Sequence, residues 1–460
     1  MATASTIRID HATVLTHLDH GPGVLDDHSI LVEGGVIAAL GPTSQVMNRD
    51  ADQVIDASRL LVLPGLVNTH HHLYQTLTRC LKGVQNAGLF DWLTTLYQHW
   101  KHVDYQAVKL ASQISICELL LSGCTTTSDH FYLFPRGSDV RLESVLEAAD
   151  SLGIRIHACR GAMSVGASAG GLPPDECVQD EATILKDCER VISQFHDPRQ
   201  MSMRRIDLAP CSPFSVSPEL ARDTATLARE HGVMLHTHAA ETVDEERYCL
   251  ERFGRRPIEW LCDLDWLGPD VYLAHCVHLS ASDIQLLADT HTGIAHCPCS
   301  NMRLGSGAPP VRKLLDANAR VGLGVDGSSS NDGGHLLAEA RQALLLQRVV
   351  HGPGSLTPEE AFAMGTLGGA AVLNRPELGD IEAGCAADLV MYRKDDIALA
   401  GAVEQDPLGA MMLCQVGRAD RVMVGGRTVV RDGRCVLIDQ DRLVAEFNEL
   451  VRTRFRGSGT

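Results

Sequence analysis

Eight short apolar runs, each followed by a segment of helical pattern, constrain this chain more than any other feature. They read LLVLPGLVNTH (60–70), CTTTSDH (124–130), IRIHACRG (154–161), IDLAPCS (206–212), VMLHTH (233–238), VYLAHC (271–276), GIAHCPCS (293–300) and RVGLGVDG (320–327). Between them lie stretches such as AVKLASQISICELLLSG (107–123), SVLEAADSLG (144–153), PELARDTATLAREHG (218–232), ASDIQLLADTHTG (281–293) and PVRKLLDANA (310–319). Strands that alternate with helices eight times predict an α/β chain, a (β/α)8 TIM-type barrel over residues 65–375. The flanks differ. ILVEGGVIAALG (30–41), CAADLVMYR (385–393) and RVMVGGRTVVRDGRCV (421–436) include apolar pairs hinged on Gly-Gly or Asp-Gly, the signal of antiparallel hairpins. A small β-sandwich domain built from both chain ends, residues 1–64 and 376–460, is therefore expected beside the barrel. Only the closing RGSGT reads as disordered.

Composition narrows the partners. The 460 residues carry 58 acidic and 40 basic side chains, a formal charge of −18, which repels a polyanion and excludes nucleic acid as the natural ligand. The N-terminal MATASTIRIDHATVLTHLDHG lacks the basic start and long apolar core of a secretion signal. No apolar run reaches the roughly 18 residues of a membrane span. A cytoplasmic protein is expected, and the 15 cysteines, scattered through apolar runs, read as reduced and mostly buried thiols. Cys297 and Cys299 in HCPCS lack the spacing of a zinc ribbon and read as packing residues.

In a barrel of this kind chemistry sits at the C-terminal ends of the strands. The first run ends in NTHHHL, where alternation sends His70 and His72 to one side and His71 to the other. A histidine-rich turn alone can be mere hydrogen bonding. Here HTHAAE follows the fifth run, HCVH the sixth and DGSSSND the eighth, so histidine and aspartate converge on one mouth from distant strands. That convergence points to a metal.

PGLVNTHHH (64–72), HTHAAET (236–242), LAHCVHL (273–279), HCPCSNMRLGSG (296–307) and GVDGSSSND (324–332) together resemble the amidohydrolase superfamily, in particular its cytosine, guanine and hydroxytriazine deaminase branch. The resemblance covers essentially the whole chain. It implies that His70, His72, His238 and Asp326 ligate one Zn²⁺ per subunit, with Fe²⁺ or Mn²⁺ as alternatives. His236 falls to a supporting or packing role, and His71 to structure. Binuclear relatives use a lysine at the end of the fourth strand; RRIDLAPCSPFSVSPE (204–219) has none, so one metal is expected. A zinc ion lowers the pKa of a bound water from about 15.7 toward 7. The resemblance further implies that Asp326 takes the water's proton, Glu241 protonates a ring nitrogen, and His275 holds the water and stabilises the tetrahedral intermediate. His278 and His296 are assigned no more than packing or orienting neighbours.

Within the branch the likeness is greatest to the 8-oxoguanine deaminases, through NTHHHLYQTLTR, CRGAMSVG, GVDGSSSNDGGHLL and DPLGAMMLC. It implies a small-molecule purine base as substrate, urate and ammonia as products, and a homo-oligomer. Hydroxytriazine, guanine and pterin deaminases are the near alternatives. Members that act on nucleosides carry a carboxylate for the ribose in the helix after the first strand. LTTLYQHWKHV (93–103) has none, and Cys211 stands where those members place a histidine, so a free base is favoured. Gln75 offers a donor and an acceptor for a lactam edge, Arg160 a donor for a ring nitrogen or carbonyl, and Trp92 or Trp100 a stacking face. Each has a plain alternative: helix surface for Gln75, an ion pair for Arg160, core packing for the tryptophans. A non-catalytic scaffold is the contrasting reading. Retention of all four ligands together with Glu241 and His275 argues against it.

Overall fold

The computed structural model describes residues 6–18 and 21–455; the expected disorder of RGSGT lies outside the described residues. Eight parallel strands close a barrel in chain order: β1 (Leu66–Asn68), β2 (Cys124–Phe131), β3 (Arg155–Ala162), β4 (Arg204–Pro210), β5 (Leu235–Ala239), β6 (Val271–His275), β7 (Gly293–His296) and β8 (Arg320–Leu323). β8 returns to β1 through the pairing of Leu323 with Asn68. Every residue of β2 and β3 is buried, because the barrel interior takes one face and the helical ring the other. The helices begin and end on local signals. The Asp104 side chain accepts from the Ala107 N–H at the start of Tyr105–Leu121, and Pro218–His231 runs from a Ser217 cap to Gly232 at φ 64°.

The run 60–70, expected as one strand, is two. Leu60–Pro64 belongs to a separate sheet, and the chain enters the barrel only at Leu66. Between them a Cβ on Gly65 would collide with the Thr125 side chain, so the transfer between sheets needs glycine.

That second sheet has nine strands. Thr6–Leu18, Gly21–Glu33, Val36–Pro42, Gln53–Asp56 and Leu60–Pro64 come from before the barrel; Leu389–Arg393, Arg421–Val424, Arg427–Arg431 and Arg434–Cys435 come from after it. Gly34–Gly35 and Gly425–Gly426 make the expected hairpins, all four at positive φ. The two chain ends join where Leu60–Pro64 pairs antiparallel with Leu389–Arg393. The expected sandwich is thus one hydrogen-bonded sheet: Ile9, Val14, Ile30, Leu389 and Met391 share a core of their own, while Leu61, Leu63, Val390 and Tyr392 join the barrel core. A buried ion pair, Arg155 with Asp388, ties the foot of β3 to the start of Leu389–Arg393, at 3.2 Å from Nε and 3.0 Å from Nη2. Two helices beyond the barrel, Pro407–Leu413 and Gln440–Leu450, carried no expectation from sequence; the second lies on Tyr105–Leu121.

Among the described residues no helix is long and apolar enough to cross a membrane. All 15 cysteines are free thiols, and Cys297 is buried.

Candidate metal centre and active site

At the C-terminal mouth, the ends of β1, β5 and β8 bring His70, His72, His238 and Asp326 together. The His72 and His238 Nε2 atoms stand 3.1 Å apart, and Asp326 Oδ1 lies 3.3 Å from His70 Nε2 and 3.4 Å from His72 Nε2. Hydrogen bonds on the far side of each ring decide where its proton sits. His72 Nδ1–H donates to the His130 carbonyl at 2.7 Å, and His238 Nδ1–H to the Cys211 carbonyl at 2.6 Å. His236 Nδ1–H donates to the Tyr272 carbonyl at 2.8 Å, leaving its Nε2 to accept from His70 Nδ1–H at 2.8 Å. Burial pushes His70, His72 and His238 below the usual imidazole range and His236 down to about 3, so all four rings are neutral.

The consequence is three bare Nε2 lone pairs facing one another and a carboxylate. No proton lies between His72 and His238 to relieve their 3.1 Å approach. A donor set of this kind, buried and mutually repulsive, fits a divalent cation, and each nitrogen is already oriented by a partner behind it. His236 is the residue behind His70, in agreement with its expected supporting role.

The two carboxyl groups of the mouth, Asp326 and Glu241, are in opposite states. Burial opposes ionisation of Asp326, yet its carboxyl lies well below the usual range; with the facing imidazoles neutral, the hydrogen bonds it accepts favour the carboxylate form. Gly327 N–H and Ser330 Oγ–H donate to its two oxygens at 2.6 and 2.9 Å. Glu241 is pushed well above the usual range by burial and by the Asp326 charge, so it keeps its proton at neutral pH. The turn that carries it is held from behind: the Glu245 carboxylate accepts from the Ala240 and Glu241 N–H groups at 2.8 and 2.7 Å. His275 Nε2 lies 3.7 Å from Glu241 Oε2. Ala240, His275, Cys276 and Asp326 all have positive φ, between 49° and 73°, a concentration of backbone strain at the strand ends that carry the mouth residues.

These groups floor a cavity of about 370 Å³ of empty space, its open mouth included. Gln75, Trp92 and Cys211 line its walls, and Leu89, Leu93, Phe214 and Leu304 give it an apolar rim. Two expectations are corrected. Arg160 does not line the cavity: its guanidinium lies over the Phe134 ring and donates to Asp187, Gln179 and the Gly161 carbonyl. Trp100 does not line it either; it stands behind Trp92, 5.6 Å between ring centres, with its Nε1–H on Thr78. His278 donates to the Ser306 carbonyl away from the cavity, and His296 is buried without a polar partner.

Several residues of the site escaped the sequence reading. Tyr132, Ser212 and Ser330 line the cavity, Asn301 and Glu245 brace it, and His130 sits against the histidine cluster with neither ring nitrogen partnered. Asn301 and Ser330 lie within the motifs that carry the resemblance, and His130 and Ser212 within the strand runs, but none has a spacing that signals a role.

Comparison with known proteins agrees with this arrangement. The Amidohydrolase family profile matches residues 61–429. The chain is 47% identical to an 8-oxoguanine deaminase of Pseudomonas aeruginosa, over 90% of this chain and 92% of that protein. It is 36% identical to a hydroxydechloroatrazine ethylaminohydrolase of Pseudomonas sp. (strain ADP), over 91% and 90%. Among solved structures, an atrazine chlorohydrolase of Arthrobacter aurescens TC1 complexed with zinc superposes with a TM-score of 0.91 at 34% identity, covering 97% of this chain and 100% of that one. Fold, converging donors and matched length lead to one assignment: this chain belongs to the amidohydrolase family and is a metal-dependent hydrolase.

Proposed function

We propose that this protein is a zinc-dependent hydrolytic deaminase of a free purine base, converting 8-oxoguanine and water to urate and ammonia. The observation that carries the reaction class is the pairing of an ionised Asp326 with a protonated Glu241 beside three bare imidazole nitrogens, a base and an acid assigned by their surroundings. The substrate rests on the likeness to the Pseudomonas aeruginosa deaminase.

His70, His72, His238 and Asp326 would hold one Zn²⁺, which when bound makes a water available as a nucleophile near neutral pH. Asp326 accepts one proton of that water. As the water oxygen bonds to C2, Glu241 gives its proton to the adjacent ring nitrogen, which prevents negative charge from building on the ring. Glu241 then relays the proton held by Asp326 to the amino nitrogen, the C2–N bond breaks, and ammonia leaves. As the C2 carbonyl forms, the water's second hydrogen leaves the product oxygen and restores the Glu241 proton, so that in net one hydrogen has been added to the ring nitrogen and one to the departing amine. Gln75 reads the lactam edge of the base and Trp92 covers its face; Cys211 leaves no polar partner for a ribose.

We also take residues 1–64 with 376–460 as one domain and 65–375 as the catalytic one, in a cytoplasmic homo-oligomer. Ammonia release from 8-oxoguanine, guanine, isoxanthopterin and a hydroxytriazine, by enzyme of known metal content, tests the substrate. The highest kcat/KM should belong to 8-oxoguanine. A higher value for the hydroxytriazine would favour the second reading, which the triazine-hydrolysing structural relatives support, and would overturn this one.

A further inference from the structure

We propose that Asn301 sets the tautomer of His275, keeping its proton on Nδ1 so that a bare Nε2 faces the cavity and accepts a hydrogen bond from the attacking water. Asn301 sits in the short helix Pro298–Arg303, fully buried, and its Oδ1 lies 3.0 Å from His275 Nδ1. Its backbone is fastened on both sides: the Asn301 N–H donates to the Cys297 carbonyl at 3.0 Å, and the Ser306 N–H donates to the Asn301 carbonyl at 2.8 Å. His275 has no other partner at Nδ1, and its ring is fixed by stacking on His238, 5.5 Å between centres and 19° between planes. An acceptor oxygen facing Nδ1 places the proton there.

The consequence reaches the chemistry, and in this the inference rests on the deaminase reading. A water that donates one hydrogen to Asp326 and the other to His275 Nε2 keeps an oxygen lone pair free for the ring carbon. The opposite tautomer would aim an N–H at that lone pair and tie up the nucleophile. It would also offer a donor to Glu241, 3.7 Å away, and favour its ionised form over the acid the reaction needs. Asn301 is therefore a positioning residue that acts through His275.

The direct test is the ¹⁵N spectrum of the zinc-loaded protein labelled at histidine, with His275 identified by difference against His275→Gln. The inference expects the proton on Nδ1 and an unprotonated Nε2. A wild-type ring protonated on Nε2 overturns it. This measurement needs no substrate, so it stands apart from the choice of base: failure of every candidate substrate would sink the deaminase reading while leaving the tautomer decided. Two variants add a kinetic arm. Asn301→Leu keeps the volume and loses the acceptor, and should lower kcat by about 100-fold with KM and metal content little changed. Asn301→Asp keeps an acceptor and should retain Nδ1 protonation and most of the turnover. Equal losses in the two variants, or full kcat in Asn301→Leu, would refute the role.

Discussion

Replacing His236 with phenylalanine removes an acceptor from the wall behind the proposed metal centre, together with the Nδ1–H that His236 gives to the Tyr272 carbonyl at 2.8 Å. The phenyl ring keeps the stacking that His236 makes on Tyr272, 3.9 Å between centres at 10°. What matters for the metal is the loss of the Nε2 that receives the His70 Nδ1–H at 2.8 Å. His70 is fully buried, so its N–H is left without a partner, a cost of about 1–3 kcal/mol, or the ring turns over and withdraws its lone pair from the ion. Loss of such a supporting partner costs about 10–100-fold in metal affinity, which converts to about 1.4–2.8 kcal/mol. The two estimates agree, so the whole penalty should appear in the dissociation constant. Competition for Zn²⁺ against a chromophoric chelator measures it directly. His236→Gln, which can restore an acceptor oxygen, should recover part of the loss. If His236→Phe binds zinc within about threefold of wild type, the argument that His70 is held in its ligating tautomer by His236 is wrong.

Glu241→Gln should retain its metal and lose about 10²–10⁴-fold in kcat, measured as ammonia release, because the amide cannot give up a proton to the ring; near-normal turnover would remove Glu241 from the acid role. Burial raises the Glu339 carboxyl to about 7, above its usual value of 4.5, while in the unfolded chain it ionises at the usual pH. The fold therefore holds more protons than the unfolded chain between those two values, and stability on this account falls as pH rises through that window and is full below it. Glu339→Gln should flatten the decline seen in urea unfolding between pH 5 and 7, and an unchanged slope counts against it. Asp388→Ala leaves the Arg155 guanidinium buried without its carboxylate and should cost about 3–5 kcal/mol in unfolding free energy. A loss under about 1 kcal/mol would show that the carbonyls of Met201 and Ser202, which also accept from Arg155, suffice.

The barrel was legible because its strands are buried on both faces, which writes most of them as apolar runs, with the threonine-rich β2 as the clearest exception, and because the residues that face the mouth follow directly on those runs. His70, His72, His238 and Asp326 could be picked out for that reason. The boundary at Gly65 could not, since Leu60–Pro64 is as buried in its own sheet as β1 is in the barrel, and apolar sequence does not say which neighbour a strand has. Arg160 failed as a substrate contact because a cationic residue at a strand end suits a ligand and a carboxylate equally; Asp187, 27 residues on, takes it. Trp92 and Trp100 share one helix and similar burial, so only the tilt of that helix separates the cavity wall from the layer behind it. The rim residues Leu89, Leu93, Phe214 and Leu304 look like any core side chains in the sequence. Asn301 and Glu245 act only through the residues they brace.

The pairing of Leu60–Pro64 with Leu389–Arg393 has a consequence for the birth of the molecule on the ribosome. The earlier strand emerges more than 300 residues before its partner. At translation rates of about 5–20 residues per second it waits roughly 15–65 s with one edge unpaired. All five of its residues are apolar or proline and all are buried once the partner arrives. Until then this edge is a template for any strand that passes, including the same segment of a neighbouring nascent chain. Chains interrupted anywhere before residue 389 should therefore aggregate through their N-terminal sheet even when most of the barrel has been made.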